Sequence, residues 1–244
     1  GDTKTGSIMT YGFDPYMMED NPYIGAMYSV VSSLAKLTAM GGDYKKSYLT
    51  FQEYFERLGN DPEKWGIPFA ALLGAFRAQV EMGTSAIGGK DSMSGSFLDL
   101  DVPPTLISFA IAPIKKQDVI SPEFKEANHP VYLFGAVDDS ADSIKATWEA
   151  FHNLCKDCKV RASWAVEHGV AEGIMKMSFG NGLGVSLNDT LSINELFGYN
   201  YASFVVEANT DLDEKQIGVV TECKEITYGG EAVNLNELLG IYED

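Results

Sequence analysis

Residues Ser85–Ser96 read SAIGGKDSMSGS: two adjacent glycines, a Lys-Asp pair, then serines around a third glycine. The apolar run Thr105–Ile114, TLISFAIAPI, follows and reads as a buried strand. The motif between is either a phosphate-cradling loop or a polar turn between two strands. It lacks the G-x-x-x-x-G-K-[ST] spacing of a P-loop, because only two glycines precede Lys90 and Asp91 follows it. The G-x-G-x-x-G dinucleotide pattern is absent too. The residue types nevertheless suit phosphate. Gly88 and Gly89 let backbone approach a ligand closely, Lys90 can meet phosphate charge, Asp91 can hold a cation, and Ser92 can donate a hydrogen bond.

Upstream, Asp61 and Pro62 offer a helix cap and first position. Phe69, Leu72, Leu73, Phe76 and Val80 carry a helical stripe toward Gly83, with Pro68 expected as a kink or restart. SYLTFQEYF at 47–55 alternates and is aromatic, so it reads as a strand or strand-like loop. Ile24, Met27, Tyr28, Val31, Leu34, Ala35 and Thr38 recur at helical steps, and Gly41-Gly42 supplies the stop. Glu19-Asp20-Asn21-Pro22 either caps that helix or offers a metal or phosphate-side contact near its start. Residues 1–23 read as turn-rich.

Downstream, the polar, proline-bearing KKQDVISPEFKEANHP is the expected boundary, dividing the chain into 1–113 and 114–244. VYLFGAV reads as a strand, and the next helix gathers Ile144, Thr147, Trp148, Phe151, Leu154 and Cys155 on one face. HGVAEGIMKMSFGNG reads as a helix closed by glycines. GVSL, ASFVVEA, IGVVTEC and EITYGGEAVNL read as strands, with a brief helix at Asn236–Tyr242. Strands alternate with helices throughout, so the class is α/β or α+β.

With 18 Lys+Arg against 35 Asp+Glu, the net charge of −17 argues against nucleic acid, whose binding draws on clustered cations. Small phosphorylated ligands stay compatible with it, since a few amides and one cation bind them locally. No apolar run is long enough for a membrane span, and GDTKTGSIMT has no signal-peptide core. Gly1 without Met reads as the scar of a cleaved tag, and the chain as a piece of something longer. Three cysteines without an export signal fit a reduced cytoplasm. Cys155-x-x-Cys158 closes a helix instead of opening one and has only the distant Cys223 for company, so Cys155 is expected in the core and Cys158 at a boundary. His129, His152 and His168 show no ligand spacing. His168 precedes a predicted helix whose first amides could meet an anion.

Taken in order, GGKDSMSG, the strand PP-T-L-I-S-F-A, DNPYIGAMYSVVSSLAKLTAMGGD, AVEHGVAEGIMKMSFGNGLGVSL and IGVVTECKEITYGGEAVNLNELL resemble the second synthetase half of the large phosphoribosylformylglycinamidine synthases. These belong to the PurM-like, or aminoimidazole-ribonucleotide-synthetase-like, superfamily. The resemblance covers about residues 10–242. It implies an N-terminal mixed-sheet subdomain that pairs with a sister half, and a C-terminal α/β sandwich. It implies a carbon–nitrogen ligase of purine biosynthesis that uses ATP, Mg²⁺ and glutamine to convert formylglycinamide ribonucleotide to the amidine. In that reaction ATP activates the amide oxygen as an iminophosphate, which ammonia displaces. The partners implied are the first synthetase half, the glutaminase domain of the same polypeptide and a phosphorylated small substrate. Without the sister half, a homodimer through an unpaired sheet edge is expected.

Carried over by position, Gly88, Gly89, Lys90, Asp91 and Ser92 form a phosphate-side loop, Lys90 takes the place of the small form's Asn, and Asp20 falls on the family's D-P aspartate. The family's metal-binding Glu and Asn fall on Val31 and Ala35, and its S-D-G-G loop on Val166-Glu167-His168-Gly169. Neither apolar side chain can hold a metal, so this half's own nucleotide site is expected to be degenerate and the chain inactive alone. The alternatives are a structural pseudo-domain of the same enzyme and another PurM-like ATP-dependent synthetase.

Overall fold

The computed structural model describes residues 3–243. The chain divides into two compact units. Gly42–Lys116 joins the residues up to Thr38 in the first, and Gln117 onward joins Ala39–Gly41 in the second.

In the first unit, the residues expected as turns hold a strand and a short helix, β1 (Thr5–Gly12) and α1 (Pro15–Asp20). On β1, Ile8, Thr10 and Gly12 are buried while Ser7, Met9 and Tyr11 are exposed. A polar residue and a glycine on the buried parity mask the alternation that marks a strand. Their reason is the helix behind, α2 (Pro22–Ala39). Thr10 Oγ1 donates to the Ser33 carbonyl at 2.6 Å, and a Cβ on Gly12 would lie 2.2 Å from the Ser29 carbonyl. The cap of α2 is Asn21, whose Oδ1 accepts from the Ile24 amide at 3.1 Å, and Asp20 ends α1.

β2 (Tyr48–Tyr54) leads into α3 (Pro62–Met82), capped by Asp61, whose carboxylate accepts from the Glu63 amide. α3 runs unbroken through Pro68, contrary to the expected kink. Pro68 costs one hydrogen bond in the second turn, and the remaining turns carry the helix. The stripe of large apolar residues on α3 faces solvent: Trp65, Phe69, Leu72, Leu73, Phe76 and Val80 are exposed. Pro68, Ala71, Gly74, Ala75, Ala78 and Met82 are buried instead.

β3 (Ser85–Ser92) is followed by the short hairpin β4 (Ser96–Phe97) and β5 (Leu100–Asp101), then by β6 (Thr105–Lys115). The main sheet has four strands in the order β1-β6-β2-β3. β6 is antiparallel to β1 and β2, while β2 and β3 run parallel, joined by α3. On β6, Leu106, Ser108, Ala110, Ala112 and Ile114 are buried and Ile111 is exposed. With Met9, Tyr11 and Tyr48, Ile111 gives the sheet an open apolar face.

The second unit has a seven-stranded sheet, built from β7 (Pro130–Phe134), β8 (Val160–Ala165), β9 (Gly184–Leu187), β10 (Phe204–Ala208), β11 (Lys215–Thr221), β12 (Glu225–Tyr228) and β13 (Glu231–Asn234). Its order is β13-β12-β9-β11-β7-β10-β8, antiparallel except for β12 beside β9. The helices are α4 (Ala141–Lys156), α5 (Val170–Asn181), α6 (Ile193–Phe197) and α7 (Leu235–Glu243). β10, between β7 and the outer strand β8, is buried along its whole length, so both its faces are covered. Phe204 packs on Trp148 and Phe151 of α4, while Val205 joins the cluster with Val170, Ile174 and Met177 of α5. Fully buried Glu207 on β10 accepts from the amides of Lys125 and Glu126 and lies 2.7 Å from His129 Nδ1, tying that irregular segment to the sheet. Ala39–Gly41 is held by the same unit: Ser163 Oγ donates to the Ala39 carbonyl at 2.6 Å, and the Ile120 amide to Met40 at 3.1 Å.

Candidate functional site

The expected GGKDS loop is a strand. Gly88 to Ser92 form the second half of β3, the outer strand of the sheet, paired with Thr50 to Tyr54 of β2. Two devices put it there. The register slips between Leu49 and Thr50, so Ile87 is bulged out of the ladder, and Gly89 then passes so near β2 that a Cβ would lie 2.7 Å from the Phe51 carbonyl. On the outer side, the Ala86 amide donates to Gln79 Oε1 of α3 at 2.7 Å.

Strand geometry separates the Lys-Asp pair. Neighbouring side chains on a strand point to opposite faces. Lys90 shares the open face with Gln52 and Tyr54, its Nζ 4.6 Å from the Tyr54 ring centroid. Asp91 stands beside Glu53 on the helix-side face. Glu53 is only 5% exposed, and its carboxyl has no hydrogen-bond partner among the described residues. Burial, with Asp91 adding repulsion, pushes the Glu53 pKa up to about 7. Glu53 and Tyr54 are the residues of this region that motif reasoning passes over. For Glu53 the signal was present, since it falls on the same parity as Leu49 and Phe51 in an otherwise apolar series.

Beyond Ser92 the chain turns back along β2. Phe55 donates its amide to the Ser92 carbonyl and accepts from the Gly95 amide, both at 2.9 Å. Ser96 Oγ accepts from the Arg57 amide at 2.9 Å and donates to Asp101 at 2.5 Å. The segment from Ser94 to Val102 lines an open cleft of about 420 Å³. The β4–β5 hairpin carries exposed Phe97, Leu98 and Leu100 at its tip.

The other expected site residues lie apart from β3. Asp20 closes α1, on a different element. Val31 and Ala35 are buried in the core on α2, so these positions do not fit a metal ion. Among the described residues no cluster of three or more His, Cys, Asp or Glu is placed to hold a metal. His168 precedes α5, whose first turn carries Glu172 3.7 Å from His168 Nδ1, which disfavours an anion there. It borders an apolar cavity of about 560 Å³ with Phe197, Ile226 and Leu238. Cys155 is half-buried, and desolvation lifts its thiol pKa to about 12, while Cys158 is exposed. No described helix is long and apolar enough to cross a membrane.

No family model matches the chain, and no curated protein matches it. Solved structures do. Thermotoga maritima PurL complexed with AMPPCP superposes with a TM-score of 0.78 at 14% identity, over 96% of this chain and 44% of that one. Phosphoribosylformylglycinamidine synthase II from the same organism gives 0.78 at 14%, over 97% and 45%. Thiamine-monophosphate kinase from Stenotrophomonas maltophilia K279a gives 0.64 at 12%, over 96% of this chain and 88% of that one. The chain thus spans less than half the length of the synthase chains it matches, and its mixed α/β architecture is the PurM-like fold that these proteins share.

Proposed function

We propose that this chain is the second PurM-like half of a glutamine-dependent phosphoribosylformylglycinamidine synthase, an ATP-using carbon–nitrogen ligase of cytoplasmic purine biosynthesis. The observation that carries the reading is the GGKDS segment held as the outer strand of a four-stranded sheet whose other face is apolar and open. Such a sheet is half of a buried one. Covering Met9, Tyr11, Tyr48 and Ile111 with a sister sheet removes a patch of a kind that soluble monomers rarely expose. In the same act β3 comes to the rim of a shared site, where Lys90 offers a cation and Ser92 a donor to phosphate. The first half, with its own Mg²⁺–ATP site, and the glutaminase domain complete the enzyme. Without them the open face pairs two copies of the chain.

The chain's own work in this scheme is positional and electrostatic. Lys90 and strand amides offset charge on a phosphoryl group, and the paired sheets exclude water from it. The isolated chain, given ATP, formylglycinamide ribonucleotide and ammonia, is expected to form no amidine; clear turnover would refute the reading. In the whole enzyme, Lys90→Ala and Ser92→Ala are each expected to lower kcat/KM at least about tenfold, which corresponds to about 1.4 kcal/mol of transition-state stabilisation. The buried apolar pair Val31 and Ala35 favours a second reading, a structural pseudo-domain, and unchanged kcat/KM in both variants would select it.

A further inference from the structure

We propose that Glu53 is a positioning residue for Asp91: the two side chains share one proton, neutral Glu53 donating to the Asp91 carboxylate, and the pair fixes the face of β3 opposite Lys90. The inference rests on β3 as the phosphate-side element and names what governs its charge.

Three observations lead to it. Glu53 and Asp91 are direct partners in the β2–β3 ladder, so their side chains leave the sheet on the same face about 5 Å apart. Glu53 is 5% exposed, on a strand whose other helix-side residues are Leu49 and Phe51. Among the described residues no cation is paired with it. Lys90 lies over Tyr54 on the other face, Lys64 is paired with Glu56, and Arg77 is paired with Glu81.

Among the described residues, the elements packed on that face bring no other charge to it. The β6 residue opposite Glu53 is Leu106. The residues that α1, α2 and α3 bury are apolar, small or hydroxyl-bearing, without an ionisable group. Asp14, also buried, is spent capping α1 through the Met17 amide. Asp91 is the charged group that acts on Glu53. Two adjacent carboxylates, one of them desolvated, resist ionising together, and a single proton turns their repulsion into a charge-assisted hydrogen bond.

The consequence for ligand binding is directional. Below neutrality the β2–β3 pair carries one negative charge, on the face opposite Lys90, and above it a second appears on Glu53, which opposes phosphate. The test uses the intact chain. Carboxyl-carbon NMR of wild type, Glu53→Gln and Asp91→Asn is expected to give one carboxyl titrating near neutrality. It should be absent in Glu53→Gln and shifted down in Asp91→Asn. A wild type in which every carboxyl titrates below about pH 5.5, or an unmoved titration in Asp91→Asn, would overturn the proposal. Asp91 is exposed, so Asp91→Asn reports even where Glu53→Gln folds poorly.

Calorimetric titration with ATP at pH 6 and pH 8 supplies the second readout, with Glu53→Gln correcting for the probe's own protonation. Wild type is expected to lose several-fold more affinity between these pH values than Glu53→Gln, whose amide keeps the donor. Equal losses overturn the positioning role. ATP that binds the chain at neither pH, with the neutral titration intact, rules out phosphate binding by β3 without its sister half and leaves the proton pair standing.

Discussion

Gly88 and Gly89 are adjacent in the chain and make opposite demands on it. A Cβ at Gly89 meets the Phe51 carbonyl at 2.7 Å, a backbone atom fixed by the ladder, whereas nothing lies within 4 Å at Gly88. Gly89→Ala is therefore expected to destabilise the chain by about 1–3 kcal/mol, and Gly88→Ala by under about 0.5 kcal/mol, as thermal unfolding would report. Glu53 sets a pH dependence of known sign. Its carboxyl is raised from 4.5 to about 7, so the folded state holds a proton that the unfolded chain releases. That stability is complete below pH 4.5 and is lost as pH rises through about 7, with a total on the order of 1–3 kcal/mol. Glu53→Gln should flatten this slope in a pH series of unfolding curves. The site was only half legible in the sequence. The composition of GGKDS pointed to phosphate, but a strand and a loop can share glycines, and only pairing with β2 reveals that Lys90 and Asp91 face opposite ways.

α3 exposes the limit of periodicity as a guide. Phe69, Leu72, Leu73, Phe76 and Val80 mark a helix, yet Ala71, Ala75, Ala78 and Met82 share the same spacing, and it is the small stripe that is buried. Hydrophobicity alone would bury the larger residues. Close approach of the neighbouring backbone selects the smaller ones, and that is a tertiary fact. The predicted outcome runs against side-chain size. Leu72→Lys with Phe76→Lys should leave the midpoint of denaturant unfolding nearly unchanged, whereas Ala75→Leu should cost about 1–3 kcal/mol by overpacking. β1 was missed for the complementary reason, since Thr10 and Gly12 occupy its buried face to let α2 approach. β2, α2 and α4, whose buried faces keep enough apolar residues at regular steps, were readable from spacing, and α5 from the glycines that close it.

For the molecule as a whole, alternating strands and helices were enough for the class, and the resemblance for the PurM-like arrangement. That one sheet face would stay open was not readable, because β6 looks uniformly apolar and a run of that kind fits a strand buried on both sides. The proposed pairing makes a testable demand. Sedimentation of the wild-type chain should reveal concentration-dependent association, and Tyr11→Lys with Ile111→Lys should abolish it without lowering the melting temperature, since both residues are exposed.

The three residues Ala39–Gly41, which belong with the second unit although they precede most of the first, bear on genetic dissection. A gene cut between Lys116 and Gln117 delivers a second unit without the carbonyls that receive the Ser163 hydroxyl and the Ile120 amide. Ser163 is buried, so its orphaned hydroxyl would cost about 1–3 kcal/mol. Recombination that exchanges this unit between relatives should therefore succeed only when the tripeptide travels with it, a constraint that a boundary drawn along the linear sequence conceals.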